Sequence, residues 1–276
     1  MAAKHITDAA LLQNGVKMPW LGLGVWKTKD GSEVEQAVHD AFEAGYRHID
    51  TATLYKNETG VGKAIRESGI TREDLFVTTK VWNIDQGYNA TLHAFEESKR
   101  KLGLDYIDLY LIHWPVQGKF KETWRALEHL YQEGFVRAIG VSNFQVHHLK
   151  VLLQDSKVKP MVNQVECHPM LTQLEVKQFC QTNHIQVEAW SPIMKGNLDN
   201  TLLVELSKKY EKSPAQIVLR WHLQNGVIVI PKSVHKKRIV ENADIFGFEL
   251  STEDMDEISW LNQNKRFGQD PDNFEF

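Results

Sequence analysis

Phe76-Val77-Thr78-Thr79-Lys80-Val81 is followed by Asn89–Leu102, then by Ile107-Asp108-Leu109-Tyr110-Leu111-Ile112-His113, by Lys121–Tyr131 and by Val136–Val141. The first, third and fifth segments are short and almost continuously apolar, as strands are when both faces of their sheet are covered. The second and fourth have helical period. In Lys121–Tyr131, Trp124, Leu127, Leu130 and Tyr131 recur at three- and four-residue spacing and make one apolar face. Strand, helix, strand, helix, strand without a tight turn means parallel strands joined by crossover helices.

The alternation extends both ways. Upstream lie the runs Leu21–Val25 and Arg47–Thr51, with helical Ser32–Ala44 between them; downstream lie Met161–Glu166, Gln186–Trp190 and Val227–Ile230. Pro214–Gln224 adds a second helix after the seventh run, and Ser251–Asn262 reads as a C-terminal capping helix with Ser251 as N-cap and Asp254 in its first turn. Ahead of the first run, Asn14-Gly15 between Leu11-Leu12-Gln13 and Val16-Lys17-Met18 predicts a β-hairpin with a type I′ turn. Eight strand–helix units with no break in composition predict an α/β fold, a (β/α)8 TIM barrel formed by residues 1–276 as a single domain. A doubly wound open sheet is the alternative.

The 276 residues are 42% hydrophobic and 25% charged, which supplies a large core, and the net charge of −4 favours neither nucleic acid nor an acidic membrane. Lys236-Lys237-Arg238 taken alone is a solvated helix face. Two cysteines, Cys167 and Cys180, give no disulfide framework and suit a reducing compartment. The first residues hold no apolar run of signal-peptide length, and no stretch is long and apolar enough to span a membrane. The expectation is a soluble, cytoplasmic monomer.

Such barrels carry their active sites at the C-terminal ends of the strands. The second run ends at Asp50, the third at Lys80, the fourth at His113 and the fifth in Ser142-Asn143; the sixth carries Asn163, Gln164, Glu166 and His168, the seventh ends in Trp190-Ser191 and the eighth in Lys232-Ser233. Singly, Asp50 is a helix cap, Lys80 a charge leaving the sheet and His113 a core histidine. On three adjacent strands they are better read together, because buried opposite charges need each other. Paired with Asp50, Lys80 is a fixed positive charge rather than a nucleophile. Tyr55, five residues beyond Asp50, reaches the same mouth. A nearby ammonium is expected to lower the phenol's pKa and make it a usable acid, with His113 holding the substrate oxygen. Asp50, Tyr55, Lys80 and His113 would thus protonate a developing alkoxide, with no metal ligand set among them.

Gly22-Leu23-Gly24 continues as Val25-Trp26-Lys27 and is not a dinucleotide fingerprint. Barrels more often hold phosphate after the seventh and eighth strands. There Lys232, Ser233 and Arg238 suit a phosphate monoester, with Glu241 and Asn242 on the same helix. Beside a tyrosine acid this implies a phosphorylated hydride donor, NADPH. Trp190, Ser142, Asn143 and Gln164 would contact its nicotinamide, and Gly24 and Ser191 complete the candidate cofactor contacts.

From Gly15 to about Asn273 the chain resembles the aldo-keto reductases. The motifs are Gly45-Tyr46-Arg47-His48-Ile49-Asp50-Thr51-Ala52 with Tyr55, Glu58 and Gly62; Thr79-Lys80-Val81-Trp82; Leu104-Asp105-Tyr106-Ile107-Asp108-Leu109 through His113-Trp114-Pro115; Ile139-Gly140-Val141-Ser142-Asn143-Phe144; Asn163-Gln164; and Ile230-Pro231-Lys232-Ser233. The resemblance implies Tyr55 as proton donor tuned by Lys80 and Asp50, His113 orienting a small carbonyl substrate, and direct hydride transfer without a metal. It also implies that Trp26, Trp82 and Trp114 wall the substrate pocket. The short stretch Pro115–Lys121 and the short C-terminal tail resemble the prokaryotic 2,5-diketo-D-gluconate reductase and glyoxal or methylglyoxal reductase branch, which implies an open pocket. Cys167, Ile193-Met194 and His235 depart from the common pattern; Cys167 is read as a packing variant. A metal hydrolase using His113, His168 and Glu166, and a non-catalytic NADPH-binding protein, are the competing functions.

Overall fold

The structure, a computed structural model, describes residues 3–274. Strands β1 (Ala9–Leu11) and β2 (Lys17–Pro19) form the expected antiparallel hairpin. Its turn is not type I′. Gly15 N donates to Leu12 O at 2.8 Å, and within the turn only Gly15 has positive φ, at 86°. A type I′ turn needs positive φ at both central residues. Asn14 is held otherwise by one tertiary and one local bond: its Nδ2 donates to Arg137 O at 2.9 Å while Oδ1 accepts from Val16 N at 3.2 Å. Asn14 thus seats the hairpin on the barrel.

The barrel follows in chain order: β3 (Leu23–Gly24), α1 (Ser32–Glu43), β4 (His48–Asp50), α2 (Glu58–Glu67), β5 (Phe76–Val81), α3 (Tyr88–Leu102), β6 (Ile107–Ile112), α4 (Phe120–Gln132), β7 (Val136–Ser142), α5 (Val146–Leu153), β8 (Val162–Glu166), α6 (Leu174–Thr182), β9 (Gln186–Trp190), α7 (Thr201–Tyr210), α8 (Pro214–Gln224), β10 (Ile228–Val229), α9 (Lys236–Ala243) and α10 (Thr252–Ser259). The eight strands β3 to β10 are hydrogen-bonded in sequential order, and each adjacent pair is parallel. Parallel bridges Leu21–Val229 and Gly24–Lys232 join the last strand to the first. The sheet is therefore closed, which removes the doubly wound alternative. At the seam a Cβ on Gly24 would lie 2.8 Å from Ile230 O, so only glycine lets the two backbones meet.

Strands β5 and β6 are buried at every position, as their unbroken apolar runs require. Each buried Leu, Ile or Val there contributes about 1.5–3 kcal/mol. At the opposite end from the candidate site, fully buried Asp108 accepts from Arg72 Nη2 at 2.6 Å, Arg137 Nη1 at 2.7 Å and Val77 N at 2.9 Å, tying β5, β6 and β7 together. Helices α7, α8 and α10 share a second apolar cluster around Leu206, Val218, Trp221 and Ile258. Ser251 Oγ caps α10 by accepting from Asp254 N at 3.2 Å. The helix stops at Ser259, short of the predicted Asn262, because Asn262 Oδ1 and Gln263 N bond Thr172 N and Met170 O instead. Among the described residues no helix is long and apolar enough to cross a membrane.

Candidate active site

The strand ends bring the predicted four together. Lys80 Nζ, fully buried on β5, donates to Asp50 Oδ1 at 2.7 Å and to Thr51 O at 2.9 Å. Tyr55 follows β4 in a short 3-10 turn and is half-buried, with Lys80 Nζ 5.1 Å from its ring centroid. His113 lies edge-on to both Tyr55 and Trp82, with ring centroids 5.8 Å and 5.1 Å apart. Burial works to lower the Lys80 pKa, yet Asp50, Tyr55 and Glu188 outweigh it and hold the ammonium more firmly than usual. Burial, reinforced by Lys80, keeps His113 well below the ordinary histidine range, so its ring is neutral.

Tyr55 departs from expectation. Lys80 does pull its pKa down, but burial is the larger effect and, with Asp50 and Glu188, pushes it up to about 12. The phenol is thus fully protonated at neutral pH, not poised to ionise. It is a proton reserve with a cation beside it to stabilise the phenolate once the proton leaves.

Gln164 Nε2 donates to Asp50 Oδ2 at 2.8 Å and to Glu188 Oε2 at 2.7 Å, and its Oε1 takes part in neither bond. Glu188 is fully buried on β9, paired in register with Gln164, and was missed in the sequence. A charged residue inside the apolar run Gln186–Trp190 was the available signal. Burial lifts its pKa to about 8, Asp50 adds to this, and Gln164 and Lys80 oppose it. Asp50 itself is raised by burial against the pull of Lys80 and Gln164. Two carboxyl groups thus share one amide and one ammonium in a dry interior, so one of them keeps its proton at neutral pH.

Asn143 links the next strands. It sits at φ 65°, its Nδ2 donates to His113 O at 3.0 Å, and its Oδ1 accepts from Trp190 Nε1 at 2.8 Å. Ser142 Oγ donates to Gln164 O at 2.9 Å. These residues hold the indole of Trp190 and the His113 backbone in place, and Ser191 continues the rim at φ 51°. Beyond the seam, Gly24 pairs with Asp50 on one side and Lys232 on the other, bringing the second predicted group to the same barrel end. Ser233 and Asn242 are buried there, Lys232 and Arg238 are exposed, and Glu241 is half-buried. Lys236 pairs with Asp40 and Glu43, whereas among the described residues Lys232 and Arg238 meet no carboxylate. The first turn of α9 carries Lys236, Lys237 and Arg238 and no acid. Cations at the positive end of a helix are unfavourable by themselves and fit a bound anion such as a phosphate.

Of the three aromatic residues expected around a pocket, Trp82 touches His113, Trp114 is buried with its ring 5.0 Å from that of Phe274, and Trp26 is 45% exposed. Glu166 and His168 are committed elsewhere. They bond each other at 3.2 Å, and Glu166 accepts from the backbone N–H of Phe267 and Gly268. The C-terminal segment is thereby fastened across the barrel mouth, a role the sequence did not disclose. Cys167 is buried and its thiol is pushed up to about 11 by burial, in keeping with a packing role.

Residues 20–263 match the model of the Aldo/keto reductase family. The chain is 59% identical over 272 residues to a glyoxal reductase of Bacillus subtilis, covering 98% of this chain and 99% of that one. It is 49% identical over 268 residues to the methylglyoxal reductase DkgA of Salmonella typhimurium, covering 95% and 96%. Among solved structures, a mutant form of Gox0644 in complex with NADPH superposes with a TM-score of 0.93 at 45% identity, covering 97% and 98% of the two chains. The chain belongs to the aldo/keto reductase family.

Proposed function

We propose that this chain is an NADPH-dependent reductase of small aldehydes and ketones, glyoxal and methylglyoxal among them, with Tyr55 as the proton donor. The observation that carries this is the protonated Tyr55 phenol set between the Lys80 ammonium and a neutral His113. The relatives named for glyoxal and methylglyoxal reduction, and the NADPH-bound neighbour, support the same chemistry.

The cofactor fits the residues present. Lys232 and Arg238 offer uncompensated positive charge for its phosphate, with Ser233, Glu241 and Asn242 beside them. At the other end Gln164 Oε1 is an unused acceptor, and Trp190, fixed by Asn143, offers a flat apolar face beside Ser142 and Ser191, with Gly24 allowing close approach at the seam. Bound there, a reduced nicotinamide would supply a hydride, that is a proton with two electrons, for the carbonyl carbon. The chain does the rest. A neutral His113 holds the carbonyl oxygen by hydrogen bond. Tyr55 gives its proton to that oxygen as negative charge develops, and Lys80 stabilises the phenolate left behind. Asp50 fixes Lys80, while Trp26, Trp82 and Trp114 exclude water from the reacting end. Residues 1–276 act as one domain, a cytoplasmic monomer whose two buried free cysteines suit a reducing compartment.

The test mixes purified protein, NADPH and methylglyoxal and follows loss of reduced-nicotinamide absorbance, with Tyr55→Phe in parallel. Wild type should consume NADPH, and Tyr55→Phe should lose on the order of 10²–10⁴-fold in kcat while still binding NADPH. A wild type that binds NADPH but turns over no aldehyde or ketone would replace catalysis with the binding-protein function.

A further inference from the structure

Asp272, in the C-terminal segment, meets two adjacent histidines at the start of α5. Its Oδ1 lies 2.8 Å from His147 Nε2 and 3.3 Å from His148 Nε2, and the two imidazole centroids are 4.0 Å apart. Among the described residues this is the one group of three His, Cys, Asp or Glu side chains spaced to hold a single ion, and it includes none of the four residues of the candidate active site. We propose that His147, His148 and Asp272 form a binding site for a divalent transition-metal ion of the zinc class, which fastens the C-terminal segment to α5.

The spacing is near that of a coordination shell. A tetrahedral ion with bonds of about 2.0–2.1 Å sets its ligand atoms about 3.3–3.4 Å apart. The His148–Asp272 contact already has that separation, and the His147–Asp272 contact needs to open slightly, which two exposed side chains permit. His148 is oriented by Phe144 and Phe120, whose rings stand edge-on to it. Asp272 is shaped by a tight turn in which Asp270 Oδ1 accepts from Asp272 N at 3.0 Å. The donor set is two imidazole nitrogens and one carboxylate oxygen with the remaining positions open to water. That suits zinc, nickel or copper rather than magnesium or calcium, which take oxygen shells.

Without an ion, His148 Nδ1 accepts from Gln145 N at 3.2 Å, so the ring proton sits on Nε2 and points at Asp272. Coordination through Nε2 moves that proton to Nδ1 and gives up this one long cap bond. The consequence reaches the barrel mouth, because Asp272 lies two residues before Phe274, whose ring packs on Trp114.

The test titrates chelator-treated, desalted full-length protein with zinc chloride by calorimetry at neutral pH. One ion per chain should bind with micromolar affinity, and magnesium chloride should give no binding heat. His147→Ala and Asp272→Asn should each weaken zinc by about tenfold or more. Both positions are exposed, so melting in chelator should match wild type for each variant. The site is disproved if wild type takes up no stoichiometric zinc, or if both variants bind it as wild type does.

Discussion

Replacing Glu188 by glutamine should stabilise the protein, and should do so more as the pH rises. Glu188 is fully buried; its Oε2 accepts from Gln164 Nε2, and its Oε1 has no partner, with His48 Nε2 3.8 Å away. Burial raises its pKa from 4.5 to about 8. Between those values the native state holds a proton that the unfolded chain has released. A folded pKa raised above the unfolded one gives stability that is full below pH 4.5 and is lost as pH climbs to 8. The loss is about 1.4 kcal/mol per pH unit, or about 3 kcal/mol by pH 7. Glu188→Gln removes that loss because the amide has no proton to give up, while its oxygen can still accept from Gln164. Urea unfolding at pH 5 and pH 8 measures the effect. The gain of the variant over wild type should be small at pH 5 and reach a few kcal/mol at pH 8, with kcat at pH 7 near wild type because glutamine mimics the protonated acid. An equal gain at both pH values, or a less stable variant at pH 8, would refute the reasoning.

Three other outcomes are expected. Lys232→Ala should raise the KM for NADPH on the order of ten- to a hundredfold and leave that for NADH almost unchanged, since the proposed Lys232–phosphate contact is charge-assisted and specific to the extra phosphate; steady-state kinetics with both cofactors decides it. Acid should destabilise the fold through His48 and His222, both pushed down to about 3 by burial. Below pH 6.5 the unfolded chain gains protons that these native rings refuse, so each contributes about 1.4 kcal/mol of loss per pH unit on the way down, with Glu188 offsetting about one of them above pH 4.5. Urea midpoints that stay flat or rise from pH 6.5 to pH 5 would contradict this. Asp108→Ala should cost about 2–4 kcal/mol, because Val77 N, Arg72 and Arg137 lose a shared buried acceptor. Its kcat per folded molecule should be unchanged, since the residue lies away from the candidate site.

Much of the site could be read from order along the chain. A parallel barrel sends every strand's C-terminal end to one face, so a polar residue closing an apolar run is placed there by topology alone. Asp50, Lys80, His113, Ser142, Asn143, Trp190 and Lys232 were found in this way. Glu188, like Gln164, lies within its run rather than at its end, and unlike Gln164 it was passed over. Glu166 and His168 were seen, but their partners Phe267 and Gly268 lie about a hundred residues further along, and no local pattern announces such a contact.

Hydrophobic period and strand–helix alternation are local properties, so the element order, the parallel strands and most residues at the mouth are legible along the chain. Closure of the sheet, the protonation states and the hydrogen-bond partners come from contacts in space. Burial, not Lys80, sets the Tyr55 phenol at about 12, and the Gln164 amide nitrogen serves two carboxyl groups. The Asn14-Gly15 turn and the end of α10 were likewise fixed by distant partners, Arg137 for the one and Met170 and Thr172 for the other. Desolvation and long-range hydrogen bonds depend on what surrounds a group in space, and neighbours in sequence do not encode that one residue at a time.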